Sequence, residues 1–436
     1  MDHALAPHPP SCVLERVSRA RLHEYAARIA GTLPADTGVL NLCEDRFHFT
    51  ATLLATAARR LPCLLPPNRT SAALERLAAD YDPLVAVCDR PTSGLLPAVD
   101  ATDLPESPPA KITEFSTESL NLIAFTSGST GNPQPWPKDW QMLREGARRA
   151  LQALDLMERR WAVMATTPAQ HMFGLETSVV WPLCSELALT DHRPFYPEDI
   201  RQAIAATSLP VLLVSTPLHL KACLASSGKW PNLAAIISST APLDPTLARE
   251  LENVTERPLW ELYGSTETQS FAWRRPARDV LWRLYPGAAL QRDSDETRLT
   301  ASWLPSPWVL GDNLEVHPDG RFRVLGRRGD LLKIGGKRAS LAELNWHLNR
   351  IDGVEDGCFF VTDQDRVGAL VVSRLSKTEI LAALRRQLDE LFLPRPLHTV
   401  DRIPRNATGK IVKAELDNLL GRLRSQARTD NARKPG

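Results

Sequence analysis

Leu122-Ile123-Ala124-Phe125-Thr126-Ser127-Gly128-Ser129-Thr130-Gly131-Asn132-Pro133 begins as an apolar run and ends in hydroxyls and glycines. The run predicts a buried strand, and the Ser/Thr/Gly string predicts the loop that leaves it. Glycines let successive main-chain N–H groups turn toward an anion. The hydroxyls of Thr126, Ser127, Ser129 and Thr130 can donate to phosphate oxygens. This is how a protein holds a polyphosphate. No G-K-[ST] closes the string, so it is not a Walker A loop. In open α/β sheets such strand ends form the ligand crevice.

The flanking sequence repeats the pattern. Leu14–Leu33 has helical spacing, Gly38–Leu42 reads as a strand, Phe47–Ala58 as a helix, Leu61–Leu65 as a strand and Ala72–Ala79 as a helix. A Pro-, Asp- and Ser-rich loop follows over Pro91–Pro109, and further strands are expected at Ala162–Thr166, Val211–Ser215 and Ala234–Ser238. Alternation of this kind predicts a parallel sheet covered by helices. After about residue 310 the pattern shifts to charged, Gly-rich sequence with short strands at Arg321–Leu325 and Leu331–Ile334. A helix at Leu341–Leu348, a hairpin from Cys358–Thr362 and Val367–Ser373, and a helix at Thr378–Leu391 complete a smaller α+β unit. The first ten residues are Pro-rich, and the tail from Arg422 is polar and basic; both are expected to be irregular. No internal repeat is visible.

At 436 residues the chain exceeds the roughly 250–300 at which single cores stop growing, so more than one domain is expected. Lys plus Arg is 52 and Asp plus Glu 51, leaving a net charge of +1. That balance carries no footprint for nucleic acid or an anionic membrane. The 43% hydrophobic and 24% charged content is ordinary for a globular protein and excludes a disordered or fibrous chain. Seven scattered cysteines with no C-x-x-C pair read as reduced thiols in a cytoplasmic protein rather than a metal cluster. No window is long and apolar enough to span a membrane.

Three further strings carry chemistry. In Glu261-Leu262-Tyr263-Gly264-Ser265-Thr266-Glu267, a tyrosine can lie on a purine, a threonine can donate to phosphate, and a carboxylate suits Mg²⁺. Asp312 and Arg327 flank a hairpin and can hold the hydroxyls of a ribose. In Ile403–Lys413, Gly409 precedes Lys410, which sits on a loop where one positive charge can meet developing negative charge. Alone, each string also fits an ordinary turn, a solvated charged face or a surface lysine.

Taken together, in order and spacing, the four strings resemble the adenylate-forming superfamily of acyl-CoA synthetases, luciferases and peptide-synthetase adenylation domains. The resemblance runs from about residue 20 to residue 420. Two weaker strings join it: Thr167–Gly174, which looks like the family's acyl-pocket gate, and Ser238–Leu243, which resembles its adenine-side loop. The fold implied is a large α/β N-terminal domain over 1–328, with parallel and mixed sheets and a β-rich subdomain, and a small mobile α+β domain over 329–436. The resemblance implies ATP as substrate with Mg²⁺. Ser127, Gly128, Ser129, Thr130 and Gly131 would cradle the pyrophosphate, aided by Thr126 and Lys138. Ser239, Thr240, Ala241, Pro242, Tyr263, Gly264 and Ser265 would face the adenosine. Thr266 would contact the α-phosphate, and Glu267 with Thr130 would hold the metal. Asp312 and Arg327 would bind ribose, with Lys333 nearby. Lys410 would act at the carboxylate and α-phosphate. His171, Phe173, Gly174, Ser239 and Leu262 would line the acid pocket, and Gly329 with Asp330 would form the hinge.

Some positions depart from that pattern. The family's lysine after the loop proline is Gln134 here, and Lys138 comes four residues later; either Lys138 replaces it or the phosphate grip is weaker. Glycine stands at the hinge, and the segment before the phosphate loop is short. The compact form, with Trp136 and Trp140 after the loop, looks like the stand-alone ligases of aryl-polyene and xanthomonadin-type pigment clusters. This implies a hydroxybenzoate or related aryl acid and an acyl carrier protein as thiol partner, in a monomer or homodimer. The rival expectations are a fatty or aryl acyl-CoA synthetase, closure to a β-lactone, and a non-catalytic nucleotide-binding relative.

Overall fold

The structure is a computed structural model. It describes residues 19–432 except 67, 92–93, 106–118, 127–133, 191–193, 227, 294–295, 328–330, 335–336, 363–365, 407–408 and 410. The phosphate loop Ser127–Gly131, the hinge Gly329 and Asp330, and Lys410 therefore lie outside the described residues, as do the side chains of Arg327 and Lys333. The chain packs as two compact units. Of the described residues, the first holds those up to 279, together with 285–287; the second holds 280–284 and those from 288 onward.

The first unit follows the predicted alternation. It opens α1 (Arg19–Thr32), β1 (Gly38–Asn41), α2 (Arg46–Arg59), β2 (Pro62–Leu65), α3 (Ser71–Asp80), β3 (Leu84–Cys88), β4 (Ala98–Asp100), β5 (Asn121–Thr126) and β6 (Gln134–Asp139). These strands form a sheet in the order β4-β3-β1-β2-β5-β6. All its pairs are parallel except β5–β6, which is antiparallel with Thr126 opposite Gln134 and Leu122 opposite Lys138. Two strands depart from the sequence reading. Short β4 lies inside the expected loop, as an edge strand on β3. The Pro-bearing stretch Gln134–Asp139 is a strand because Pro135 and Pro137 share one parity on an edge. Their missing N–H groups then cost no ladder bond.

The unit continues α4 (Trp140–Ala153), β7 (Ala162–Ala165), α5 (Met172–Leu175), a π-helical segment Glu176–Val180, α6 (Trp181–Cys184), β8 (Ala188–Leu189), α7 (Pro197–Ala206), β9 (Val211–Ser215), α8 (Pro217–Ala225), β10 (Leu233–Ser238), α9 (Pro245–Thr255), β11 (Leu259–Ser265) and β12 (Gln269–Arg274). A second sheet runs β12-β11-β10-β9-β7-β8, parallel except for β11–β12. One face buries Met164, Val211, Leu213, Leu233 and Ile236 against Ile200, Ile204, Leu220, Ala248 and Leu251 of α7, α8 and α9. Each fully buried side chain of this size contributes roughly 1.5–3 kcal/mol, which orients the strands firmly. Thr216 and Asp244 cap α8 and α9 through their side chains, each followed by proline in the first turn. The chain therefore turns from strand to helix within one residue after β9 and a short loop after β10.

In the second unit, β13 (Arg283–Leu284) precedes the antiparallel strands β14 (Ala288–Asp293), β15 (Glu296–Ala301) and β16 (Trp308–Val309). Two hairpins follow: β17 (Asp312–Val316) with β18 (Phe322–Arg327), and β19 (Leu331–Ile334) with β20 (Lys337–Ser340). Then come α10 (Leu341–Asn349), β21 (Val354–Val361), β22 (Val367–Ser373), α11 (Lys377–Arg385), β23 (Leu397–Thr399) and α12 (Lys413–Ala432). The expected hairpin is β21–β22, with Cys358 opposite Leu370. Helix α11 ends earlier than expected, because the chain turns at Arg386–Leu388 to bury Phe392 and Leu393 in the core with Leu344, Leu348, Ile380 and Leu384. The tail expected to be irregular from Arg422 is helical to Ala432. Leu416, Leu419, Leu420 and Leu423 recur at helical spacing and pack on Cys358, Phe360 and Ile403. The six described cysteines are free, and among the described residues no helix is long and apolar enough to cross a membrane.

Candidate active site

Parallel strands deliver their ends to one edge of the second sheet. Ser215, the last residue of β9, pairs with Ser238, the last of β10, and Ser238 pairs with Glu261 inside β11, so a polar row crosses three adjacent strands in register. Thr166, next along from β7, contacts Ser215 hydroxyl to hydroxyl at 3.0 Å. His219 on α8 meets Thr216 at 3.1 Å and Thr166 at 3.4 Å. The Ser238 and Thr167 hydroxyls are buried and have no hydrogen-bond partner among the described residues. The sequence expects strands ending in polar residues at Thr166, Ser215 and Ser238; the hydrogen bonds among these residues and His219 appear only in the fold.

The gate segment leaves β7 at Thr166. His171 is the N-cap of α5, and its main-chain N–H donates to the Pro168 carbonyl at 3.3 Å. Gly174 packs so closely that a Cβ would stand 2.0 Å from the Pro168 oxygen. The buried guanidinium of Arg46 donates to the Ala165 carbonyl and the Ser178 hydroxyl at 2.9 Å each, and to the Thr167 carbonyl. A residue on α2 thus ties the chain leaving β7 to the π segment, a contact not anticipated from sequence.

The loop after β10 carries Ser239, Thr240, Ala241 and Pro242. The Ser239 hydroxyl donates to the Leu262 carbonyl at 3.0 Å, bringing those two expected pocket residues together. Thr240 has φ +81°, a left-handed conformation that costs a β-branched residue of order 1–3 kcal/mol. The loop is held by Glu261, which accepts the Leu243 N–H at 2.8 Å and the Arg274 guanidinium at 2.6 Å. Burial pushes the Glu261 carboxyl up, against the pull of Arg274 and the Leu243 N–H.

Tyr263, Gly264, Ser265, Thr266 and Glu267 form the end of β11 and the turn into β12. Tyr263 lies edge-on to Phe271 with ring centroids 5.1 Å apart. A bulge falls between Tyr263 and Gly264, where a Cβ would lie 2.1 Å from the Gln269 carbonyl oxygen. Ser265 and Thr268 close the turn, hydroxyl to hydroxyl at 3.1 Å. The Thr266 hydroxyl and the Glu267 carboxylate make no hydrogen bond or ion pair with any described residue. A carboxylate in this turn with no hydrogen bond to a described residue fits Mg²⁺, which takes one or two carboxylates and completes its shell with phosphate and water. No cluster of three acidic, His or Cys ligands exists among the described residues.

Beneath the turn lies a buried ion network. Lys138 on β6 is 3% exposed, and its Nζ donates to the Glu267 carbonyl at 2.6 Å. Burial pushes its amine down to about 8, opposed by the carboxylates of Glu267, Glu176 and Asp139. Glu176, the first residue of the π segment, accepts the Ser270 N–H at 3.0 Å and the Ser270 hydroxyl. Burial raises its carboxyl, while Ser270 and Lys138 hold it down. Short π segments recur at functional sites. Neither Glu176 nor Ser270 was legible as a site residue.

In the second unit, Asp312 stands opposite Arg327 in the β17–β18 register, and Lys333 lies opposite Arg338. The segment leading to Lys410 is anchored. Arg405 makes a two-pronged ion pair with Asp356 at 2.8 and 2.7 Å, and donates to the Gly409 carbonyl at 2.8 Å. Gly409 adopts φ +79° and closes a turn on Asn406.

Comparison with known proteins fits this geometry. The profile of the AMP-binding enzyme family matches residues 14–292. The chain is 31% identical over 281 residues to a 4-coumarate–CoA ligase of Rhodobacter capsulatus, covering 64% of this chain and 70% of the relative. It is 22% identical over 342 residues to a 2-succinylbenzoate–CoA ligase of Listeria monocytogenes, covering 71% and 72%. Among solved structures, the o-succinylbenzoate CoA synthetase from Bacillus subtilis, in complex with ATP and a magnesium ion, superposes with TM-score 0.78 at 18% identity, covering 91% of this chain and 94% of that one. ATP-bound MatB from Rhodopseudomonas palustris gives 0.75 at 20% identity, covering 93% of each. These two likenesses show the adenylate-forming fold.

Proposed function

Since the chain belongs to the AMP-binding enzyme family and is an acid–thiol ligase using ATP with Mg²⁺, we propose that it activates an aromatic carboxylic acid and hands the acyl group to a thiol, with CoA as the favoured acceptor. The observation that carries the reading is the turn after β11. Thr266 and Glu267 stand in the turn that leaves β11, with their side-chain oxygens making no hydrogen bond with other described residues. The aryl acid is supported by relatives named for coumarate and succinylbenzoate.

In the first half-reaction a carboxylate oxygen attacks the α-phosphorus, and pyrophosphate leaves. Two anions must meet, so positive charge has to offset their repulsion in a dry site. Mg²⁺ on Glu267 and Thr130 would supply part of that charge. Ser127 to Gly131 would hold the pyrophosphate, Tyr263 would lie on the adenine, and Thr266 would donate to the α-phosphate. Asp312 and Arg327 would take the ribose hydroxyls, and Lys410 would bring an ammonium to the reacting oxygens. In the second half-reaction a thiolate attacks the acyl carbon and AMP leaves. Residues 329–436, turning at Gly329 and Asp330, would exchange Lys410 for the groups that admit the thiol.

ATP–pyrophosphate exchange across hydroxybenzoates, coumarate, benzoate and medium-chain fatty acids tests the reading. The expected outcome is Mg²⁺-dependent exchange with an aryl acid; no exchange with any acid in the panel would refute it. Mass spectrometry of the product formed with CoA, with an acyl carrier protein or with neither identifies the acceptor. A thioester on the carrier alone would move the enzyme to carrier loading, as in pigment assembly.

A further inference from the structure

Lys138 stands on the same face of β6 as Gln134, because side chains alternate along a strand. Four residues at about 3.4 Å each place the two roughly 14 Å apart. Gln134 pairs with Thr126 at the root of the phosphate loop, whereas Lys138 pairs with Leu122, four rungs down. The lysine is 3% exposed, and its amine ends on the main-chain carbonyl of Glu267 at 2.6 Å. Met142 of α4 lines the other side of the amine at 4.0 Å.

The turn that receives this bond is costly to hold. It carries a bulge at Tyr263–Gly264 and a non-glycine residue, Gln269, at φ +61°. Two more ties reach it from neighbouring helices. Gln269 donates to the Met142 carbonyl at 2.9 Å, and Ser270 bonds Glu176. Each of these ties lies on the β12 side of the turn. Lys138 grips the residue that bears the carboxylate. Neither the Thr266 hydroxyl nor the Glu267 carboxylate makes a hydrogen bond with a described residue, so their direction is set by the main chain of the turn together with the nearby Lys138 charge.

We infer that Lys138 is a positioning residue: by holding the Glu267 carbonyl it aims Thr266 and Glu267 at the magnesium–nucleotide, and it does not itself grip the phosphates. The inference rests on the proposed roles of Thr266 and Glu267. It assigns the displaced lysine a different task from the one that Gln134 lacks.

The test compares wild type, Lys138→Met and Lys138→Arg in ATP–pyrophosphate exchange, and in thioester formation from supplied acyl-AMP. Lys138→Met is expected to lower kcat for exchange on the order of 100-fold, as a misplacement near 1 Å does. KM for ATP should change little, the Mg²⁺ requirement should rise, and the thioester step should persist. Lys138→Arg, keeping a charged donor, should recover part of kcat. A raised KM for ATP with kcat intact overturns the inference and makes Lys138 a phosphate ligand. Equal loss in both half-reactions, or no loss in either, overturns it too. Should Lys138→Met not fold, Lys138→Arg decides: a deficit in kcat supports the inference, a deficit in KM for ATP alone defeats it, and so does no deficit at all. A wild type without exchange would defeat the functional reading itself.

Discussion

Gly174 and Gly264 are the positions where a single methyl group matters most. A Cβ at Gly174 would fall 2.0 Å from the Pro168 oxygen, and one at Gly264 would fall 2.1 Å from the Gln269 oxygen and 2.5 Å from the Ser270 Cα. All three obstacles are main chain, so the backbone would have to move. Gly174→Ala is expected to cost about 1–3 kcal/mol by urea denaturation. It should raise KM for the acid more than KM for ATP, because it shifts the gate. Gly264→Ala should do the reverse, through the nucleotide turn. Equal effects on both substrates would separate these glycines from the roles proposed for their loops. Both glycines belong to strings visible in the sequence, but the reason for them was not. Close approach of a carbonyl from another segment exists only once the chain has folded.

Helix α2 shows what an element contributes at a distance. Arg46, at its first turn, is fully buried and ties the end of β7 to the π segment through Ala165, Thr167 and Ser178. Arg46→Met should cost about 3 kcal/mol, since carbonyls buried around a charged donor lose their partner. The check is the denaturation midpoint at unchanged slope, and an unmoved midpoint would rule out the anchor. The same helix start is fixed by Asp89, whose carboxylate accepts the N–H of Glu44 at 2.9 Å and of Asp45 at 2.7 Å, with His48 at 3.6 Å. Burial raises the Asp89 carboxyl, but His48 and the two N–H groups outweigh it, so its net position is below the ordinary value. A lowered carboxyl stabilises above its unfolded pKa of about 3.9, and that share is lost as pH falls through the folded value. Asp89→Asn should therefore be less stable than wild type at pH 6, with the gap closing below about pH 4; a gap constant with pH would exclude the ionic contribution. Strand and helix periodicity made α2, β9 and β10 legible. Strand β6 was not, because its prolines argue against a strand until the open edge beside them is known.

For the molecule as a whole, the strings expected to carry chemistry fall in two packing units. The turn of Thr266 and Glu267 belongs to the first, and the Asp312–Arg327 pair and the Arg405-anchored segment before Lys410 to the second. If Lys410 serves only the meeting of carboxylate and phosphate, Lys410→Ala should abolish pyrophosphate exchange and leave thioester formation from supplied acyl-AMP near wild type; loss of both steps alike would sink that role. The residue order alone determined the alternating α/β architecture, the small α+β unit and the four strings that mark an AMP-binding enzyme. Periodicity and ligand-type chemistry are local properties, written within a few residues of one another. Only the tertiary structure decided that Lys138 ends on Glu267, that Glu176 holds Ser270 and that Arg46 binds the end of β7. Those contacts join residues 94 to 129 positions apart. A buried charge finds its partner by where strands and helices meet in space, which no spacing along the chain encodes.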